Sequence, residues 1–228
     1  MEQVFRKEIK YRISVIQYAR LAQLLDKEMK RDAYSSKYGS YKVRSLYFDS
    51  IHNQDLRDVL AGNYAKRKIR LRVYSPKDKT AKLELKVKHG PDQQKFSLNV
   101  SREQAKQLAQ GNFNFLRNME EEVAAYIYQE MTLGVYRPQV IIEYDRTAFI
   151  HETNRIRITF DQKVRGSDSN LNLFSENLNL YPLMPEDTGV LEVKYDGFLM
   201  SYIKDALALI DQLPQSNSKY VLGRLKTY

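Results

Sequence analysis

The sequence predicts an α+β fold in which about eight antiparallel strands close into a β-barrel around a basic tunnel, with helices packed on the outside. Three observations favour this fold. Several segments alternate apolar and polar residues with the two-residue period of a strand. The polar positions of these segments are dense in lysine and arginine. Amphipathic helical patterns lie between the segments, so helices are available to cover the apolar side of the sheet.

The alternation predicts strands in chain order. They cover residues 5–13, 43–48, 68–73, 82–88, 95–100, 140–149, 155–161 and 191–195. Helical periodicity predicts helices from an N-cap at Ser14 to residue 29, then over residues 53–60, 101–111, 120–131 and 198–213. Turns are expected at residues 75–76, 89–91 and 166–170, and residues 170–187 are a candidate loop or lid. No linker divides the chain, so residues 1–228 are predicted to form one domain.

The basic polar faces are the unusual feature. A sheet with one face in water has a polar face in any case, so a single strand of this kind would indicate nothing about function. Like charges on neighbouring strands repel, however, and here the basic excess recurs from strand to strand. Closure with the charged faces inward would give an electropositive tunnel that needs an anion. A linear polyphosphate fits such a tunnel, because Arg and Lys both suit phosphate oxygens.

Composition narrows the function classes. The net charge is +9, from 37 Lys and Arg against 28 Asp and Glu, which indicates an anionic partner. Cysteine is absent, which excludes disulfides, thiolate nucleophiles and Cys-ligated zinc. Stacking of the 17 tyrosines on single-stranded nucleic acid is disfavoured, because β-propensity alone explains tyrosine in strands.

The N-terminus lacks a secretory apolar core, and no apolar run is long enough for a membrane span. We therefore expect a cytoplasmic protein. Peripheral attachment at the inner face of the membrane, through a membrane protein partner, stays open.

Nine short motifs, in this order and covering almost the whole chain, resemble those of the triphosphate tunnel metalloenzymes (CYTH-like superfamily), and specifically the VTC catalytic domain, a polyphosphate polymerase. They are Glu8-Ile9-Lys10-Tyr11, Ser45-Leu46-Tyr47-Phe48-Asp49, Ile69-Arg70-Leu71-Arg72, Glu84-Leu85-Lys86, Lys95-Phe96, Tyr144-Asp145-Arg146-Thr147-Ala148-Phe149, Arg157-Ile158-Thr159-Phe160-Asp161, Leu191-Glu192-Val193-Lys194 and Ser218-Lys219-Tyr220.

The resemblance implies an enzyme that takes ATP, transfers its γ-phosphate to a growing polyphosphate chain, and uses Mn²⁺ or Mg²⁺. The catalytic residues it implies are Lys10, Arg70, Arg72, Lys86 and Lys219. Candidate substrate-binding residues are Glu8, Arg44, Lys68, Lys88, Lys95, Tyr144, Arg146, Arg155, Arg157 and Lys194. Glu192 is the implied metal ligand. From the sequence alone, Glu8, Glu84 and Glu192 can pair with the bases, or one or more of them can instead hold a divalent cation.

The sequence departs from the family pattern at two points. Ser216 stands where the family has a second lysine before the Ser-Lys-Tyr motif. A basic residue preceding Arg70 in eukaryotic members has no clear equivalent, although Lys66, Arg67 or Lys68 can substitute for it. Two other functions stay open beside the polymerase: hydrolysis of inorganic or nucleoside triphosphate in the same tunnel, and polyphosphate binding without turnover.

Overall fold

A computed structural model describes residues 6–90, 92–210, 213–215 and 218–225. These residues form ten β-strands and seven α-helices. The strands are β1 (Arg6–Ser14), β2 (Lys30–Arg31), β3 (Tyr41–Asp49), β4 (Ala65–Val73), β5 (Thr80–His89), β6 (Asp92–Ser101), β7 (Arg137–His151), β8 (Ile156–Ser167), β9 (Tyr181–Pro182) and β10 (Thr188–Asp196). The helices are α1 (Val15–Glu28), α2 (Ala33–Tyr38), α3 (Gln54–Leu60), α4 (Arg102–Ala109), α5 (Glu122–Leu133), α6 (Ser201–Leu207) and α7 (Lys219–Leu225).

The strands form one large antiparallel sheet. Its hydrogen-bonded order is β1-β10-β8-β7-β3-β4-β5-β6, with β2 beside β7 and β9 beside β8. Within the described ranges this order ends at β1 and at β6, so hydrogen bonds do not close the sheet. The predicted α+β class and antiparallel strands are therefore confirmed, whereas the closed barrel is not.

The chain divides into two compact units. The first unit comprises Met1–Lys42, Tyr144–Val164 and Met184–Ser218, and the second comprises Val43–Glu143, Arg165–Leu183 and Lys219–Tyr228. The single domain expected from the sequence stays a prediction. None of the described helices is both long enough and apolar enough to cross a bilayer.

In the first unit, α1 and α6 cover the apolar face of β1, β10 and β8. Leu25 of α1 and Ile203 of α6 are buried in one cluster with Ile158 and Val193 of the strands. Ser14 begins α1 as predicted: its hydroxyl accepts from the Gln17 amide at 3.2 Å, and the Gln17 side chain accepts from the Ser14 amide at 2.9 Å. This reciprocal capping satisfies two amides that the helix itself cannot pair.

In the second unit, α4 and α5 cover the apolar face of β3 to β6. Leu71 and Leu85 of the strands pack with Leu108 of α4 and Ile127 of α5, and all four are fully buried. Both units thus place helices on the apolar side of their strands, as the alternation predicted.

Several parts of the chain differ from the sequence-based expectation. The last predicted helix, 198–213, is much shorter, because the amides of Leu209 and Ile210 bond three residues back and tighten the chain into a turn. The predicted turn at 166–170 begins inside β8, where Gly166 pairs with β9. Helices α2 and α7 were not predicted. Predictions on residues 5, 91, 211–212 and 216 lie outside the described ranges.

Asp55, in the first turn of α3, is a buried acid on the helix-covered side of the second unit. The Tyr136 hydroxyl donates to its carboxylate, 2.9 Å from each oxygen. Burial, and then the neighbouring Asp49, raise the pKa of Asp55 from 3.8 to about 7. A raised pKa means that Asp55 stabilises the fold below pH 4, and that this contribution is lost as the pH rises through about 7.

Asp55→Asn keeps the side-chain shape but cannot ionise. Its free energy of unfolding relative to the wild type is therefore expected to rise by on the order of 1–3 kcal/mol between pH 5 and pH 8. Urea unfolding at both pH values measures this change. Asp92→Asn, at an exposed position of the same unit, is the matched control. A pH-independent difference for Asp55→Asn would contradict the raised pKa.

Candidate functional site

Basic side chains line the face of the second unit that α4 and α5 leave uncovered. Residues directly opposite each other on paired strands share a face, so the register assigns them to it. We call this set the second basic face: Lys66, Lys68, Arg70, Arg72, Lys82, Glu84, Lys86, Lys88 and Lys95.

Like charges stand side by side on the second basic face. Lys68, Lys86 and Lys95 are direct cross-strand neighbours on β4, β5 and β6. Lys66 likewise faces Lys88. Such pairs destabilise a sheet. An anion that binds to the second basic face would therefore relieve this repulsion and lower the free energy of the protein.

Glu84 is the one acid among the nine residues of the second basic face, and three bases share it. Arg70 Nε lies 2.6 Å from Glu84 Oε2, Arg72 Nη2 lies 3.6 Å from the same oxygen, and the Lys95 ammonium contacts the other oxygen. Burial alone would raise the pKa of Glu84, but Arg70, Arg72 and Lys95 outweigh it and lower the pKa to about 2. Glu84 is ionised at neutral pH and offsets only part of the positive charge.

Arg72 carries an unsatisfied donor. Its side chain is 10% exposed, and its Nε is buried without a hydrogen-bond partner among the described residues. A buried donor without an acceptor is costly, so Arg72 would gain from an anion on this face.

A corresponding set lies on the strands of the first unit, opposite α1 and α6. We call it the first basic face: Glu8, Lys10, Arg12, Arg146, Arg157, Thr159, Asp161, Glu192 and Lys194. Charges alternate here. Glu8 Oε1 lies 2.7 Å from Lys10 Nζ, and Glu192 Oε1 lies 2.6 Å from Lys194 Nζ. With Glu84, these pairs agree with the expectation that Glu8, Glu84 and Glu192 pair with bases.

Arg146 is held by a two-pronged contact with Asp161. Arg146 Nε and Nη2 donate to the two Asp161 oxygens at 2.6 and 2.7 Å, and Asp161 is fully buried. Burial lowers the pKa of Arg146, but Asp161 outweighs it and the pKa rises well above the usual value. The Tyr144 ring lies 5.2 Å from the guanidinium carbon. The guanidinium of Arg146 is therefore always charged and fixed in orientation.

Arg157 is oriented by residues at the α2 end of the first unit. Its Nη2 donates to Asp32 at 2.8 Å and to the Tyr41 hydroxyl at 3.2 Å. Burial is the main cause that raises the pKa of Tyr41 to about 12, so Tyr41 stays neutral and donates to Asp32. Arg155 differs: it is exposed, lies in the turn before β8 and pairs with Asp196.

Arg44 lies on the face opposite to the one its predicted role requires. It is paired with Val73, in phase with the buried Leu46. Its Nε donates to Glu143 at 2.7 Å, and its Nη1 donates to the carbonyls of Leu173 and Ser175 at 3.0 and 2.6 Å. Its donors therefore hold the backbone at Leu173 and Ser175 within the second unit, and Arg44 is not among the proposed phosphate ligands.

The residues preceding Arg70 divide between the two faces of β4. Lys66 and Lys68 lie on the second basic face, whereas Arg67 is out of phase and pairs with Glu130 of α5. Of the three possible substitutes for the basic residue of the family pattern, Lys66 and Lys68 lie on the second basic face.

Lys219 is the first residue of α7 and is half-buried. The next residue, Tyr220, stacks on Tyr47 with ring centroids 5.4 Å apart. Tyr47 lies directly opposite Arg70 in the register, so α7 lies on the same side of the sheet as the second basic face.

Sequence reasoning missed two acids that orient predicted ligands. Asp161 lies in the polar phase of β8, so its position next to basic residues was visible in the alternation. Asp32 gave no such signal, because its contact with Arg157 joins positions far apart in the chain.

The carboxylates present permit only a partial protein site for a divalent metal. Within the described part of the chain, no group of three or more His, Cys, Asp or Glu is suitably placed to hold an ion. Glu8 and Glu192 both contact Lys194, at 3.7 and 2.6 Å. One or two carboxylates suffice where phosphate oxygens supply the remaining ligands, and the residues fit that type of site.

Comparisons with known proteins agree with this fold. The model of the VTC domain family matches residues 5–228. No curated protein matches the chain in sequence. Among solved structures, a candidate adenylyl cyclase from Hippeastrum with a dominant triphosphatase activity superposes with a TM-score of 0.57 at 12% identity, over 96% of this chain and 95% of the other.

Two bacterial structures are also similar. A candidate adenylate cyclase from Bacillus halodurans gives a TM-score of 0.53 at 13% identity, over 93% of this chain and 96% of the other. One from Vibrio parahaemolyticus gives 0.50 at 13% identity, over 97% and 98%. At these identities the likeness concerns the fold alone.

Glu84→Gln removes the one negative charge that three bases share. We expect the free energy of unfolding at pH 7 to fall by about 2–4 kcal/mol, because Arg70, Arg72 and Lys95 lose their counter-charge. Since the pKa of Glu84 is lowered, its contribution is lost as the pH falls from 4.5 towards 2.

Urea unfolding of both proteins at pH 7 and pH 3 tests this, and the difference between them should narrow at pH 3. Glu130→Gln, which breaks one ion pair on the helix-covered face, is the control and should cost less. Equal stability of Glu84→Gln and wild type at pH 7 would contradict the shared role.

Proposed function

Because this chain belongs to the VTC domain family, we propose that it is a triphosphate-acting tunnel enzyme, and specifically a polyphosphate polymerase. It would transfer the γ-phosphate of ATP to the end of a growing polyphosphate chain. The proposal includes the tunnel that the family resemblance implies.

The second basic face carries this proposal. An ordinary protein surface intersperses charges of both signs, but here Lys68, Lys86 and Lys95 adjoin one another. A chain of phosphates matches such an array better than a single phosphate, because it brings several negative charges to several bases at once.

Each unit has its own set of proposed phosphate ligands. In the first unit they are Lys10, Arg146, Arg157 and Lys194, with Glu8, Tyr144 and Arg155 as supporting residues. In the second unit they are Lys68, Arg70, Arg72, Lys86, Lys88, Lys95 and Lys219. Lys10, Arg70, Arg72, Lys86 and Lys219 are the proposed catalytic members.

Phosphoryl transfer depends mainly on positioning and on charge stabilisation. A terminal phosphate oxygen of the acceptor chain would attack the γ-phosphorus, the bond to the β–γ bridging oxygen would break, and ADP would leave. The attacking oxygen is already ionised, so no strong general base is required. An arginine that a buried acid holds in place, such as Arg70, would stabilise the transferring group without reorganising.

Glu192, with Glu8 nearby, would hold a Mn²⁺ or Mg²⁺ ion together with phosphate oxygens. When bound, such an ion offsets the charge that develops on the phosphate oxygens. The cytoplasmic location and the membrane protein partner expected from the sequence stay predictions.

Incubation of the purified full chain with ATP and Mn²⁺ tests the function directly. The polymerase predicts long polyphosphate on a gel together with ADP. Release of free phosphate without polymer would show that the protein is a hydrolase and not a polymerase. Binding of ATP or tripolyphosphate without turnover would show that the protein is a binding module without catalytic activity.

Arg72→Ala is expected to weaken tripolyphosphate binding by about 10- to 100-fold, because it removes a charged donor from the anion. Arg70→Ala should act in the same direction. Isothermal titration at fixed ionic strength measures the affinity. Arg67→Ala, on the same strand but on the helix-covered face, is the matched control. Equal affinities for Arg72→Ala and wild type would remove the second basic face from the site.

Glu192→Gln is expected to reduce kcat by about 100-fold or more while changing nucleotide affinity little, since electrostatic groups act mainly on the transition state. Steady-state kinetics with ATP over a series of Mn²⁺ concentrations separate the two effects. Glu186→Gln, at an exposed position of the same unit, is the control. Full metal-dependent turnover in Glu192→Gln would exclude Glu192 as the metal ligand.

A further inference from the structure

Helix α7 is packed tightly onto the second unit. Gly223 faces β7, where a Cβ atom on it would lie 2.9 Å from Ile142 Cδ1 and 3.2 Å from Val140 Cγ2. The Tyr220 ring stacks on Tyr47 with an interplanar angle of 28°. These contacts bring α7 against the sheet on the side that carries Arg70 and Arg72.

One buried carboxylate joins α7 to the start of α3. Asp49 is fully buried and accepts from the amides of Ser50, Asp55 and Leu56 at 2.7, 2.9 and 3.0 Å. Its Oδ2 atom also accepts from the Tyr220 hydroxyl. Asp49 therefore fixes the N-terminal turn of α3 and a side chain of α7 at the same time.

Arg224 reinforces this contact one turn further along α7. Its Nη1 donates to the Tyr220 hydroxyl oxygen at 3.0 Å, and its Nη2 donates to Asn53 Oδ1 at 2.8 Å. Burial, and then Asp49, raise the pKa of Tyr220 well above its usual value. Tyr220 thus stays a neutral donor, and its single proton is committed to Asp49.

From this geometry we infer that Tyr220, through Asp49 and Arg224, is a positioning residue that sets the place of Lys219 on the side of the sheet that carries the second basic face. Lys219 and Tyr220 are consecutive in α7, so a shift of the tyrosine moves the lysine backbone with it. The inference rests on the proposed function, in which Lys219 is a phosphate ligand.

A positioning role differs from a purely structural one in how two substitutions combine. If Tyr220 acts through Lys219, its hydroxyl matters for anion binding only while Lys219 is present. If Tyr220 only stabilises the fold, the effects of the two substitutions on binding are independent and add. A double-mutant cycle on affinity therefore separates the two roles.

The experiment compares tripolyphosphate affinity of the full-length wild type, Tyr220→Phe, Lys219→Ala and the double variant by isothermal titration. Tyr220→Phe keeps the ring on Tyr47 but loses the donor to Asp49. We expect its affinity to fall about tenfold, because a displaced Lys219 loses most of a hydrogen bond to a charged phosphate oxygen. The double variant should bind no more weakly than Lys219→Ala alone.

Tyr136→Phe is the matched control, because it removes a buried tyrosine hydroxyl from a buried carboxylate, Asp55, in the same unit. It should lower the melting temperature without changing affinity. Arg224→Lys perturbs the α7 contact more mildly and should show the same non-additivity with a smaller loss.

Additive losses in the double variant, or an equal loss of affinity in Tyr136→Phe, would overturn the positioning role. If the wild type itself does not bind tripolyphosphate, the proposed function fails instead. The two failures are therefore distinguishable.

Discussion

In each unit helices bury the apolar face of the strands, and the rest of the site depends on this constraint. Leu71 and Leu85 pack under α4 and α5, so alternation turns Arg70, Arg72 and Glu84 to the other side. A face built this way would ordinarily mix its charges. In the second unit it carries adjacent lysines instead. Their mutual repulsion destabilises the unliganded face, and a bound anion relieves this repulsion.

Buried acids fix the orientation of arginine side chains on the two basic faces. Glu84 holds Arg70, and Asp161 holds Arg146 through both of its oxygens. An arginine on a flexible stem loses rotamer freedom when it binds phosphate, whereas one that is already fixed loses less. The same acids offset part of the positive charge of the basic faces. Asp49 is a buried acid that holds a whole helix in the same way, because it accepts a hydrogen bond from Tyr220 of α7.

The sequence predicted those features of the structure that depend on residues close together in the chain. A two-residue period is set by the strand itself, so the strands and the basic phase of β4 and β5 were predictable from the pattern alone. Arg44 shows the limit: its neighbours Val43 and Leu46 do not define a single phase, and only pairing with Val73 reveals its side. Helix α7 and the partners Asp32 and Asp49 depend on contacts between distant positions, which no periodicity encodes. Sheet closure depends on strand tilt and register in the same way.

A structure determined with a non-hydrolysable ATP analogue and Mn²⁺ tests the central claim most directly, because it shows where the phosphates bind. The account predicts that phosphate oxygens lie within hydrogen-bonding distance of Arg70 and Arg72 on the second basic face, with the apolar faces still covered by helices. Phosphates bound at another surface, away from Arg70 and Arg72, would contradict it.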